Sequence, residues 1–97
     1  MLNLYCNHIG DEGASALANA IQSEHCSLTV LHLDSNQIGN EGASAFALSI
    51  ATGKWNFHQL DISSNNYGIK GRHALRLVVE SGKCRRDQLY FDEDDDE

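Results

Sequence analysis

The 97-residue chain is 41% hydrophobic and 22% charged, the composition of a small folded domain and not of a disordered one. It contains no run of about 18 apolar residues, which excludes a long apolar membrane-spanning helix. Its net charge of −7 is unevenly spread, with five acids and no Lys or Arg in residues 1–53, all seven basic residues and two acids in 54–86, and seven acids in 87–97. Nucleic-acid binding wants a net basic face, and the acidic run directly after the basic third argues against it.

The first unit, residues 1–30, opens on Leu2 and Leu4, the period-two alternation of a short strand. Asn7, Gly10 and Gly13 follow as turn residues. Ala14, Leu17, Ala18 and Ile21 then fall at i, i+3, i+4 and i+7, the apolar stripe of a helix. The second unit, residues 31–59, repeats the order with Leu31, Leu33, Asn36, Gly39, Gly42, Ala45, Phe46 and Ile50, each 29 positions on. The third, residues 60–88, keeps Leu60, Ile62, Asn65, Gly68, Gly71, Ala74, Leu75 and Val79. Leu89 and Phe91 supply a terminal strand at 89–91. So many columns locked to one interval mark an internal repeat of strand, turn and helix.

One such unit cannot bury its apolar face alone, but stacked units can. The expected fold is therefore α/β, a stack of parallel strands with helices on one side. Helices are about 10 Å across and strands lie about 4.8 Å apart, so strands should line the concave face. Asn7, Asn36 and Asn65 sit where each strand leaves the sheet. Their expected role is a structural ladder, in which the amides satisfy turn backbone of their own and neighbouring units. Gly10, Gly39 and Gly68 are expected to take turn conformations or to allow close approach.

The third unit departs from the pattern. Tyr67 replaces the isoleucine before glycine, Lys70 stands where Glu41 does, and Arg72-His73 replaces Ala-Ser. Arg76 replaces Ala18 and Ala47, and Arg86 replaces Leu28 and Phe57. Polar residues in stacking columns are what a terminal cap requires, so 72–92 reads as a C-terminal cap. The acidic block 92–97 reads as a disordered tail. At the other end the sheet edge is expected to be open, either to upstream repeats or to a second copy in a homo-dimer.

The pattern L-x-L-x-x-N-x-I-G-x-E-G-A-x-A-x-A, in Leu2–Ala18 and Leu31–Ala47, resembles the ribonuclease-inhibitor-like class of leucine-rich repeats. That class includes the sensor repeats of NOD-like receptors and Ran GTPase-activating protein. The resemblance implies a horseshoe-shaped solenoid that binds a protein partner. The acidic tail is also similar to that of Ran GTPase-activating protein, which implies regulation of a small GTPase as an alternative. A structural segment of a larger solenoid is the third reading.

On the concave face one strand column is Asn3, His32, Asp61 and Tyr90, and the next is Tyr5, Asp34, Ser63 and Asp92. Aromatic, acidic and amide residues suit protein recognition, with Tyr5 and Tyr90 as anchors. His32, Asp34 and Asp61 have the residue types of a divalent-metal site. Their spacing is a by-product of the repeat, however, so a plain polar patch is expected and no metal. Cys26, Trp55 and Cys84 share one column and read as packing positions, not as nucleophiles. No phosphate-binding glycine loop and no catalytic triad stands out, so no cofactor and no enzymatic activity is expected. Three cysteines do not suggest a disulfide framework, and the first residues do not read as a signal peptide. An intracellular, cytoplasmic protein is expected.

Overall fold

A computed structural model of the chain describes residues 1–22, 29–52 and 58–92. Strands and helices alternate: β1 (Leu2–Asn3), α1 (Asp11–Ile21), β2 (Val30–His32), α2 (Asn40–Ala51), β3 (Gln59–Asp61), α3 (Ile69–Glu80) and β4 (Leu89–Tyr90). The four strands form one parallel sheet in the order β1-β2-β3-β4. Register pairs Leu2 with Leu31, Leu31 with Leu60 and Leu60 with Leu89, so the sequence interval of 29 is also the step from strand to strand. Backbone bonds extend the ladder past the short strands: the Leu4 amide donates to the His32 carbonyl, Leu33 to Asp61 and Ile62 to Tyr90, all at 2.7–2.8 Å.

The alternation decides what is buried. Leu31, Leu33, Leu60 and Ile62 point to the helix side of the sheet and are fully buried there. They meet Ala14, Ala43, Phe46, Ile50 and Leu75 from the helices in one continuous core. Cys84 joins this core, and burial pushes its thiol pKa up, which keeps it protonated and inert. Its column mates Cys26 and Trp55, like Leu28 and Phe57, lie outside the described residues.

Helix packs on helix in order, α1 against α2 and α2 against α3. Two glycines make the close approach possible. A Cβ on Gly42 would lie 2.9 Å from the Ala14 Cβ, and one on Gly71 would lie 3.0 Å from the Ala43 Cβ. Alanine at 14 and 43 is the small partner on the facing helix. On α3 the same column holds Arg72, on a side that no further described helix covers.

Of the three turn glycines, Gly39 allows a close approach, since a Cβ there would lie 3.0 Å from Asp11 Oδ2. Gly10, Gly39 and Gly68 have φ between −93° and −100°, which any residue can adopt. The left-handed conformation falls instead on the column Cys6, Ser35 and Ser64, with φ of 64°, 60° and 56°, and on His8. Non-glycine residues in that region cost of order 1–3 kcal/mol, and the asparagine that follows in each unit holds the strained turn. At the end of α3, Gly82 has φ 84°. Its amide donates to the Val79 carbonyl and that of Lys83 to Val78, the two bonds of a Schellman stop.

Candidate functional site

Two sets of polar side chains repeat along the molecule, one inside the turns and one on the outward strand face. The turn set begins with the asparagines. The Asn36 side-chain carbonyl accepts the amides of Asn7 at 2.7 Å and Ile9 at 2.9 Å. Its NH2 donates to the Leu4 carbonyl at 2.9 Å and the Leu33 carbonyl at 3.0 Å. Asn65 does the same one unit later, accepting from Asn36 and Ile38 and donating to Leu33 and Ile62. Asn36 and Asn65 thus each tie their own turn to the turn before it. Asn7 donates within its own turn, to the Tyr5 carbonyl at 3.2 Å.

A second ladder runs beside the first and is not evident from the repeat columns. All three N-cap residues are glycines, which have no side chain with which to cap their own helices. Instead the Asp11 carboxylate accepts the amides of Gly39 at 2.7 Å and Gly42 at 2.8 Å. The Asn40 side-chain carbonyl accepts those of Gly68 at 2.8 Å and Gly71 at 2.9 Å. The first residue of one helix therefore caps the next helix, satisfying amides that the helix cannot satisfy itself. Position 69, next in this column, is isoleucine and 70% exposed.

The last strand closes its side by other means. Asp92 accepts the Ser64 amide at 2.9 Å and the Asn65 amide at 3.4 Å. Its own amide donates to the Tyr67 hydroxyl at 2.8 Å, and that hydroxyl donates to the Ile62 carbonyl at 2.9 Å. Asp92, placed by sequence both on the concave face and at the head of the acidic tail, is thus engaged with the third turn. Residues 93–97 lie outside the described residues.

The outward strand face carries the remaining columns. Tyr5 and Tyr90 are 56% and 44% exposed at its two sides. Between them lie His32, Asp34, Asp61 and Ser63, all half-buried. Asn3 accepts the Tyr5 amide at 3.0 Å, and Asp61 accepts both the amide and the hydroxyl of Ser63, at 3.0 and 2.6 Å. These local bonds fix the side chains against the backbone before any partner arrives. The His32 Nδ1 lies 4.0 Å from Asp34 Oδ1. His32, Asp34 and Asp61 each bring one potential ligand atom within 4.8 Å of the others, the donor set of an open divalent-cation site. One oxygen of Asp61 is already taken twice by Ser63. A cleft of about 320 Å³, lined by Ser63, Arg86, Leu89, Tyr90 and Phe91, opens beside this patch.

Residues 2–18 and 24–47 match a family model described as leucine-rich repeat. The two segments are similar to leucine-rich repeats. The matched segments lie within the two faithful copies, and the parallel sheet with its alternating helices fits the α/β fold of leucine-rich-repeat proteins. Leucine-rich repeats generally mediate protein–protein interaction and are typically non-enzymatic. No curated protein and no solved structure matches the chain. Among the described residues no helix is long and apolar enough to cross a membrane.

Proposed function

We propose that the chain is a protein-interaction module that takes its partner on the outward strand face. The observation that carries this reading is the pair of exposed tyrosines, Tyr5 and Tyr90, flanking the half-buried His32, Asp34, Asp61 and Ser63. Tyrosine offers a large contact area for little side-chain entropy and is enriched among residues that dominate binding. Of the polar residues between them, Asp61 and Ser63 are held by local hydrogen bonds, so ordering these two on binding costs little. The greater width of the helix side supports a concave strand surface, which wraps a partner more fully than a flat one. The strand columns between the tyrosines carry carboxylates and no Lys or Arg, which favours a partner with a basic contact surface.

The test is differential capture from cell extract with the whole chain, the Tyr5→Ala/Tyr90→Ala variant and a helix-side control, Leu48→Ser. A protein held by the chain and by the control, but lost from the tyrosine variant, is the expected result. Equal retention by all three would reject the strand face as the binding surface.

A further inference from the structure

The parallel register brings an imidazole and two carboxylates from two strands onto one patch of the outward sheet face. His32 of β2 pairs with Asp61 of β3, and neighbouring strands lie about 4.8 Å apart. The Leu33 amide donates to the Asp61 carbonyl and the Ser35 amide to the Ser63 carbonyl, so the same register continues past β2. Asp34 is two residues on from His32 and stands on the same face. One imidazole nitrogen and one oxygen of each carboxylate all lie within 4.8 Å of one another, with His32 Nδ1 4.0 Å from Asp34 Oδ1. Ser63 fills the fourth corner of the patch. Its amide and hydroxyl both donate to Asp61 Oδ1, at 3.0 and 2.6 Å, which sets the orientation of that carboxylate. Asp61 Oδ2 accepts no hydrogen bond among the described residues. The strand columns Asn3-His32-Asp61-Tyr90 and Tyr5-Asp34-Ser63-Asp92 contain no Lys or Arg, so the two neighbouring carboxylates have no fixed cation in their own columns. Like charges set together on one sheet face disfavour each other.

We propose that His32, Asp34 and Asp61 form a site for one divalent transition-metal ion of the zinc type. Two carboxylates and a neutral imidazole balance the charge of such an ion and belong to its usual ligands. The imidazole nitrogen selects against calcium and magnesium, which take oxygen ligands and more of them. Ligand atoms about 2.0–2.2 Å from a tetrahedral ion lie about 3.3–3.6 Å apart. The three atoms therefore close by about 1 Å on binding, which small χ rotations within one rotamer well supply. Asp61 binds through Oδ2 while Ser63 holds Oδ1, the kind of support that metal-ligating carboxylates commonly carry. Three protein ligands leave one position of a tetrahedral ion open. The His32 and Asp34 side chains are only 25% and 24% exposed, so part of the ion's water shell is replaced by protein. The site stands on this geometry whether or not a protein docks on the same face.

The experiment titrates the whole 97-residue chain with Zn2+ by calorimetry and, in parallel, with Co2+ by NMR. Saturable binding of Zn2+ is expected, and Co2+ should first shift or broaden the amide signals of residues 32, 34, 61 and 63. His32→Ala, Asp34→Asn and Asp61→Asn should each weaken Zn2+ binding by more than about tenfold, and Ser63→Ala by about tenfold through the freed Asp61 carboxylate. The two amide substitutions keep the shape of the side chain, and a urea midpoint unchanged in the absence of metal shows that the fold is kept. Zn2+ should raise that midpoint in the parent chain and not in Asp61→Asn. The exposed Cys6 thiol and the neighbouring His8 are the rival donors on the first turn. Cys6→Ser/His8→Ala should bind Zn2+ as the parent does. No saturable binding at millimolar Zn2+ would overturn the proposal. So would binding that survives both His32→Ala and Asp61→Asn, or that is lost in Cys6→Ser/His8→Ala, because the ion would then sit elsewhere.

Discussion

Asp11 and Gly42 lie in neighbouring helices, 31 residues apart, and the carboxylate of the first accepts the amide of the second at 2.8 Å. The contact needs both partners. Asp11 supplies the oxygen, and glycine at 42 leaves room for it, since a Cβ there would sit 2.9 Å from that same oxygen and 2.6 Å from Ile38 Cγ2. Asp11→Ala should lower the unfolding free energy by about 0.5–2 kcal/mol, the worth of a helix cap. Asp11→Asn should retain most of it, because Asn40 makes the equivalent bonds to Gly68 and Gly71. Gly42→Ala should cost about 1–3 kcal/mol through overpacking, while Gly10→Ala, with nothing within 4 Å of its Cβ, should cost far less. Urea denaturation of the four variants checks the order.

Ser49 is 1% exposed, and its hydroxyl has no hydrogen-bond partner among the described residues. Its column holds Ala20 in the first unit and Val78 in the third. An unpaired buried hydroxyl carries its desolvation cost without return, so Ser49→Ala should raise stability by about 1 kcal/mol. A rise in the denaturation midpoint at unchanged slope is the expected observation.

Tyr67 ties the third turn to the last strand through its hydroxyl, and burial holds that phenol well above its ordinary value of 10.0. The sign follows from linkage. A folded-state pKa above the unfolded one means the contribution is complete below pH 10. It is lost as the pH rises toward the folded value, because only the unfolded chain can readily release the proton. Stability should therefore begin to fall above about pH 10. Tyr67→Phe should flatten that fall. At neutral pH it should cost about 1–2 kcal/mol for the bonds to the Ile62 carbonyl and the Asp92 amide. Denaturation of both proteins across pH 7–11 measures it.

The sequence carries the fold in its columns. Leu2, Leu31, Leu60 and Leu89 are adjacent in the sheet because period-two burial and a constant interval leave one parallel register. The Asn36 and Asn65 amides bond as the strand-exit position implies, since a buried turn must find partners for its backbone. The helix-to-helix ladder was less legible. Asp11, Asn40 and Ile69 share a column but no residue type, and a cap that acts on the following helix leaves no local motif. An acid or amide directly after Gly10 and Gly39 was the available signal. The left-handed turns were hidden for the opposite reason: Cys6, Ser35 and Ser64 are not residues that announce a positive φ, and the strain is held by the asparagine beside each. The role of Asp92 depended on where Tyr67 places its hydroxyl, which no spacing rule gives.

Photo-crosslinking shows whether partners meet the strand face. A photoreactive phenylalanine analogue is placed singly at Tyr5 or Tyr90 on the strand side, and at Leu48 or Leu77, exposed residues of α2 and α3. A discrete crosslinked protein species is expected from positions 5 and 90 and none from 48 and 77. Crosslinks confined to positions 48 and 77 would contradict it.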